Sequence, residues 1–102
     1  AREILEERVE RFARRMGVAV RGVRITDAKE RWGSCSPAGT LNFAWRLVTA
    51  PEGIIEYVIV HELAHLVEMN HSPRFWEAVG RVLPDYAARR AWLRKNEHRL
   101  TL

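Results

Sequence analysis

Residues 53–67, GIIEYVIVHELAHLV, constrain this chain more than any other stretch. The run is long enough for four helical turns and is apolar on nearly every side, so it reads as a helix buried in the middle of the protein. Yet His61, Glu62 and His65 sit inside it. Burying three titratable groups without partners costs several kcal/mol. A fold that places this helix at its centre must therefore supply something for them to bind.

Positions four apart on a helix lie about 40° apart around the axis and one turn along it. His61 and His65 thus project from one face and can grip a single ion. Glu62 is turned by about 100° from His61, close to the ion without being a third ligand. H-E-x-x-H suits metal-assisted hydrolysis for this reason: two imidazoles bind zinc and the carboxylate deprotonates its water. Catalytic zinc usually takes three protein ligands and keeps a fourth position open. His71 is the expected third, since Asn70-His71-Ser72-Pro73 reads as a sharp turn between helices that swings it back. Its spacing equals that of H-E-x-x-H-x-x-G-x-x-H, but Glu68 stands where that motif has glycine, so Asn70 is the expected reversal point. A hydrogen-bonded cluster without metal is the plainer alternative. His98 reads as a surface residue, and Cys35 as a small buried one rather than a ligand.

The rest of the chain frames this helix. Leu5, Val9, Phe12, Ala13 and Met16 give an amphipathic helix over residues 2–16, closed by Gly17. Residues 18–26 and 31–36 read as extended, the first with a slip at Gly22. Residues 40–47 alternate, with Leu41, Phe43, Trp45 and Leu47 on one side and Asn42, Ala44 and Arg46 on the other. Together they predict an α+β fold with a small, largely antiparallel sheet. Thr49-Ala50-Pro51-Glu52 resembles a capping box opening the central helix, expected over residues 52–69 and ended by a left-handed Asn70. Ser72-Pro73 starts another helix, Pro84 stops it, and Asp85 can cap the last. Trp32, Trp45, Trp76 and Trp92 are expected mostly in the core; the alternative is an aromatic floor to a cleft.

Composition enters at three points. At 102 residues the chain is read as one domain. The single cysteine excludes an intrachain disulfide, which, with no secretory signal in view, fits the cytoplasm. Net charge is +4, with all but two of the 17 basic residues arginine. That balance permits a nucleic-acid partner, although the dispersed charges read more simply as a solvated surface. No apolar run is long enough for a membrane span, and the sequence is silent on oligomeric state.

RWGSCSPAGTLNFAWRL, then HELAHL, NHSPRFW and PDY with WL following, give the chain a family likeness. It resembles the YgjP-like metallopeptidases, zincin-type predicted metal-dependent hydrolases related to the SprT-like and WLM proteins. The likeness runs from Val23 to Leu93. Ala44 departs from it, since many relatives carry asparagine there. The resemblance implies the catalytic C-terminal part of a longer protein, with a minimal zincin fold whose site helix packs under a twisted sheet. It also implies zinc on His61, His65 and His71, with Glu62 as general base. Two reactions fit such a site: hydrolysis of a peptide or protein, and hydrolysis of a nucleotide. The first is favoured because no G-x-x-x-x-G-K-[ST] phosphate loop is present. A third reading makes zinc structural in a non-enzymatic module that docks on DNA or protein; an intact Glu62 argues against it. For the group that stabilises the oxyanion, Arg46 is the first candidate, followed by Arg31, Arg74 and Tyr57.

Overall fold

The amphipathic stripe at the N-terminus forms the helix its spacing predicts, α1 (Arg2–Met16), with Leu5, Val9, Phe12 and Ala13 buried. The protein is described by a computed structural model covering residues 2–28 and 31–100, with side chains through Asn96. His98 therefore lies outside the described side chains. Gly17 ends α1 at φ 69°, which glycine adopts without steric cost. Strands β1 (Gly22–Thr26), β2 (Gly33–Cys35) and β3 (Thr40–Ala44) follow, then a 3-10 segment (Trp45–Thr49). Helices α2 (Glu52–Ala64), α3 (Pro73–Val82) and α4 (Tyr86–Leu100) complete the chain. No helix among the described residues is long and apolar enough to cross a membrane.

The fold is α+β, but its sheet is mixed rather than largely antiparallel. The strand order is β1-β3-β2. β3 pairs antiparallel with β2 and parallel with β1, where Val23 meets Leu41 and Ile25 meets Phe43. The chain reverses after β1 and runs back as β2 one strand-width away. The tight turn at Gly39 (φ 98°) then feeds β3 into the gap. Side-chain alternation reports which face is buried, not which strand lies alongside, so it cannot reveal this insertion.

Alternation also fails at the end of β3. The last ladder bond runs from Ala44 N to Trp32 O (2.9 Å), after which the backbone coils. Trp45 is thereby turned outward, 47% exposed, and its indole N–H donates to Asp27 Oδ1 at 2.8 Å. Arg46 and Leu47 are turned inward instead, so Arg46 does not face away from the core as the alternation predicts. Thr49 is not a cap: its hydroxyl donates to Arg46 O (2.7 Å), and Pro51 precedes α2 with no side-chain cap bond. Glu52 opens α2 as an acidic first residue, favoured by the helix dipole. Arg8 of α1 grips it through two bonds of 2.8 and 3.0 Å.

α2 is the centre of the molecule, as its all-round apolarity requires. Ile54, Ile55, Tyr57, Val58, Ile59, Val60, Leu63 and Ala64 are all buried, and α1, α3, α4 and β2 pack around it. None of the four tryptophans is fully buried; Trp32, Trp76 and Trp92 only edge the core. An indole is bulky, and in so small a domain the interior is filled by Phe43, Phe75 and the aliphatic side chains.

Candidate metal centre

α2 ends earlier than its apolar sequence predicts, and the site depends on that ending. The helix stops at Ala64, and the chain tightens into i+3 turns: His65 N to Glu62 O, Leu66 N to Leu63 O and Val67 N to Ala64 O, at 2.9 to 3.2 Å. Continuing to residue 69 would carry the chain about 7 Å further along the axis. The tight turns let it fold back, so that His71 returns to the two histidines. No non-glycine residue among those described has positive φ, so the reversal does not use a left-handed Asn70. Ser72 then fixes the start of α3, its hydroxyl accepting from Phe75 N at 3.4 Å with Pro73 in the first turn.

The three imidazoles converge. Ring centroids lie 5.2 Å apart for His61–His65, 5.2 Å for His61–His71 and 4.8 Å for His65–His71. Each presents a ligand nitrogen, and these nitrogens all lie within 4.8 Å of one another. Among the described residues this is the group able to hold a metal ion; Cys35 and Glu68 are not part of it. Phe75, fully buried, packs against all three rings at centroid distances of 4.6 to 5.1 Å. Trp76 stacks beside His71 on one side and on Tyr86 on the other. In sequence, Phe75 looks like one more apolar helix position; its place two residues past the Ser72-Pro73 start is the one hint of its role.

Two further observations bear on a metal. His65 Nδ1 is buried with no hydrogen-bond partner, an expensive state unless something else engages the ring. His71 is held below the usual histidine range by desolvation and by the neighbouring His61 and His65, which favours the neutral form a ligand needs. The donor set thus fits a metal that favours nitrogen.

Glu62 is 7% exposed, with Oε2 3.2 Å from His61 Nδ1. With its proton on Nδ1, His61 donates to this carboxylate and leaves Nε2 free. Gly33 of β2 makes room: a Cβ there would stand 3.2 Å from Glu62 Cγ and 3.0 Å from the Phe43 ring. Beside them opens a cavity of about 260 Å³ walled by Arg31, Trp32, Tyr57, Glu62, Arg90 and Arg94 among others. Of the oxyanion candidates, Tyr57 and Arg31 are on this wall. Arg74 is exposed and Arg46 is not on the wall: it is buried, its guanidinium 5.9 Å from the centre of the Trp32 ring. Arg90 and Arg94 were not singled out by the sequence.

Cys35 is half-buried rather than fully buried, and burial together with the charge of Glu62 pushes its thiol up to about 11. The thiolate is the reactive form. At pH 7.5 alkylation by iodoacetamide is therefore expected to run at least about tenfold slower than for an unfolded peptide of the same sequence. Mass spectrometry over time measures this, and equal rates would contradict the placement.

The sequence matches the YgjP-like, metallopeptidase domain family over residues 1–96. The chain belongs to this family. It is a metal-dependent hydrolase of the metallopeptidase class. Its fold is similar to that of the metallopeptidase zymogen of Pyrococcus abyssi abylysin, at 28% identity and TM-score 0.77, over 89% of this chain and 93% of that one. It is also similar in fold to the metallopeptidase zymogen of Methanocaldococcus jannaschii jannalysin. There the identity is 22% and the TM-score 0.67, covering 76% of this chain and 79% of that one. Comparison with curated proteins returns no match.

Proposed function

We propose that this YgjP-like domain is a zinc peptidase in which His61, His65 and His71 hold the ion and Glu62 is the general base. The observation that carries this reading is the approach of three imidazole nitrogens to within 4.8 Å, beside a buried carboxylate on a cavity wall. An all-imidazole donor set favours zinc over magnesium or calcium. When bound, zinc supplies Lewis acidity, making water more acidic and polarising a carbonyl oxygen. The chain's own groups do the rest. Glu62 accepts the proton of the attacking water and returns it to the departing amine.

Tyr57 is suited to the developing oxyanion. Burial is the main cause that pushes its hydroxyl up, so it keeps its proton at neutral pH and can donate. Arg46, packed against Trp32, acts by steadying that wall. The substrate is an extended peptide: β2 is an edge strand, its Gly33 lines the cavity, and a strand added to that edge crosses the mouth of the site.

The test is a mixed peptide library and a panel of nucleoside triphosphates, each with and without chelator. Expected is peptide cleavage that chelator abolishes and zinc restores. Release of phosphate or pyrophosphate with all peptides intact would overturn the reading in favour of a nucleotide hydrolase.

A further inference from the structure

The cavity beside Glu62 has a neighbour on α4. A second cavity of about 600 Å³, lined by Trp76, Tyr86, Ala87, Arg90, Ala91, Arg94 and Lys95, shares Arg90 and Arg94 with it. The two cavities therefore adjoin at Arg90 and Arg94 as a cationic groove on α4, with Arg31 on the wall of the first and Lys95 on that of the second.

Among the described residues its charge is uncompensated. Glu62 is the only acidic residue on either wall among the described residues. Among the described residues none of Arg31, Arg90, Arg94 and Lys95 pairs with a carboxylate. Other arginines are neutralised by carboxylates, Arg8 by Glu52, Arg11 by Glu56 and Arg81 by Glu77, while Arg15, Arg21, Arg24 and Arg74 have no such partner among the described residues. Even Arg89, adjacent in sequence, is bound to Asp85 and Glu56.

Arg90 is also oriented. Its guanidinium lies 5.1 Å from the centre of the Trp76 ring, and Trp76 is stacked on Tyr86 at 5.3 Å. A guanidinium braced on an aromatic face loses less freedom on binding and presents its fork to a carboxylate.

We propose that this groove binds an extended acidic segment of the substrate, with carboxylates two residues apart, on one side of the scissile bond. The inference rests on the peptidase reading. Spacing supports it. Arg90 and Arg94 are one turn apart, about 6 Å along α4, and side chains on one side of an extended peptide repeat every ~6.6 Å. The walls offer separate side-chain forks in a row and no glycine-rich loop of backbone N–H groups to surround a polyphosphate.

Binding is measured on the Glu62→Gln protein, loaded with zinc, so that peptides stay intact. The probes are fluorescent ten-residue peptides carrying Glu-Ala-Glu or Gln-Ala-Gln, each with a free or an amidated C-terminus. Expected is about tenfold tighter binding of Glu-Ala-Glu whatever the terminus, from two partly exposed charge pairs, weakening as salt is raised. With Arg90→Gln and Arg94→Gln added, the difference disappears; with Arg90→Glu and Arg94→Glu, a Lys-Ala-Lys peptide becomes the better ligand. Arg81→Gln keeps the original preference. Circular dichroism checks that each variant is folded. Equal affinity for Glu and Gln peptides overturns the proposal, as does a preference that survives loss of both arginines. Dependence on the free C-terminus alone, or tighter binding of a nucleoside triphosphate, also overturns it. Failure to cleave any library peptide would count against the peptidase reading, and this affinity comparison would still be read.

Discussion

Replacing Glu62 by glutamine leaves a folded protein that binds metal as before and turns substrate over about 100 to 10,000 times more slowly. Glutamine has the size of glutamate, so it fills the same space beside Gly33 and can still bond to His61. What it loses is the capacity to accept a proton at neutral pH. A stability role for the carboxylate predicts another pattern, in which metal content or melting temperature falls and activity follows. Metal content by elemental analysis and rates on the best library peptide separate the two. Equal turnover by the variant on every substrate would remove Glu62 as the base.

The second large effect belongs to the histidines. His61→Ala with His65→Ala is expected to abolish metal binding, because a single exposed imidazole, His71, then remains of the donor set. The consequence for stability is separate from activity and more easily measured. A ligand that binds only the folded state stabilises it by about 2.7 kcal/mol at a hundredfold excess over its Kd. For a domain of this size that corresponds to a rise in Tm of roughly 10–20 °C. Zinc should therefore raise the melting temperature of the parent protein by that order and leave the double variant unmoved. The double variant also loses two rings that pack on Phe75, so its Tm without metal should already be lower. A full zinc-induced shift in the double variant would mean that the ion binds elsewhere.

How much of this site could be read in the sequence depended on how local the cause was. His61, Glu62 and His65 are placed by helical spacing within one turn, and Ser72-Pro73 starts α3 through its own hydroxyl, so both were legible. The end of α2 was not. Leu66 and Val67 are apolar and would continue a helix; the fold-back that sets His71 against Phe75 is a tertiary event. The end of β3 is similar: Trp45 extends the alternation, but its indole gains Asp27 outside the core and the backbone coils, which carries Arg46 inward. The middle position of β3 was hidden because residue patterns do not encode which neighbour a strand takes. Arg90 and Arg94 look like any exposed arginines on a helix. Only the packing of α4 against α2 brings them to the cavity beside Glu62.

One ion is expected among His61, His65 and His71. Anomalous diffraction at the zinc absorption edge, from crystals of the zinc-loaded protein, tests it without reference to any substrate. A single strong peak is expected, with three imidazole nitrogens at about 2.0–2.1 Å, lost in the His61→Ala, His65→Ala protein. A peak elsewhere, or one at which His71 takes no part, would contradict it.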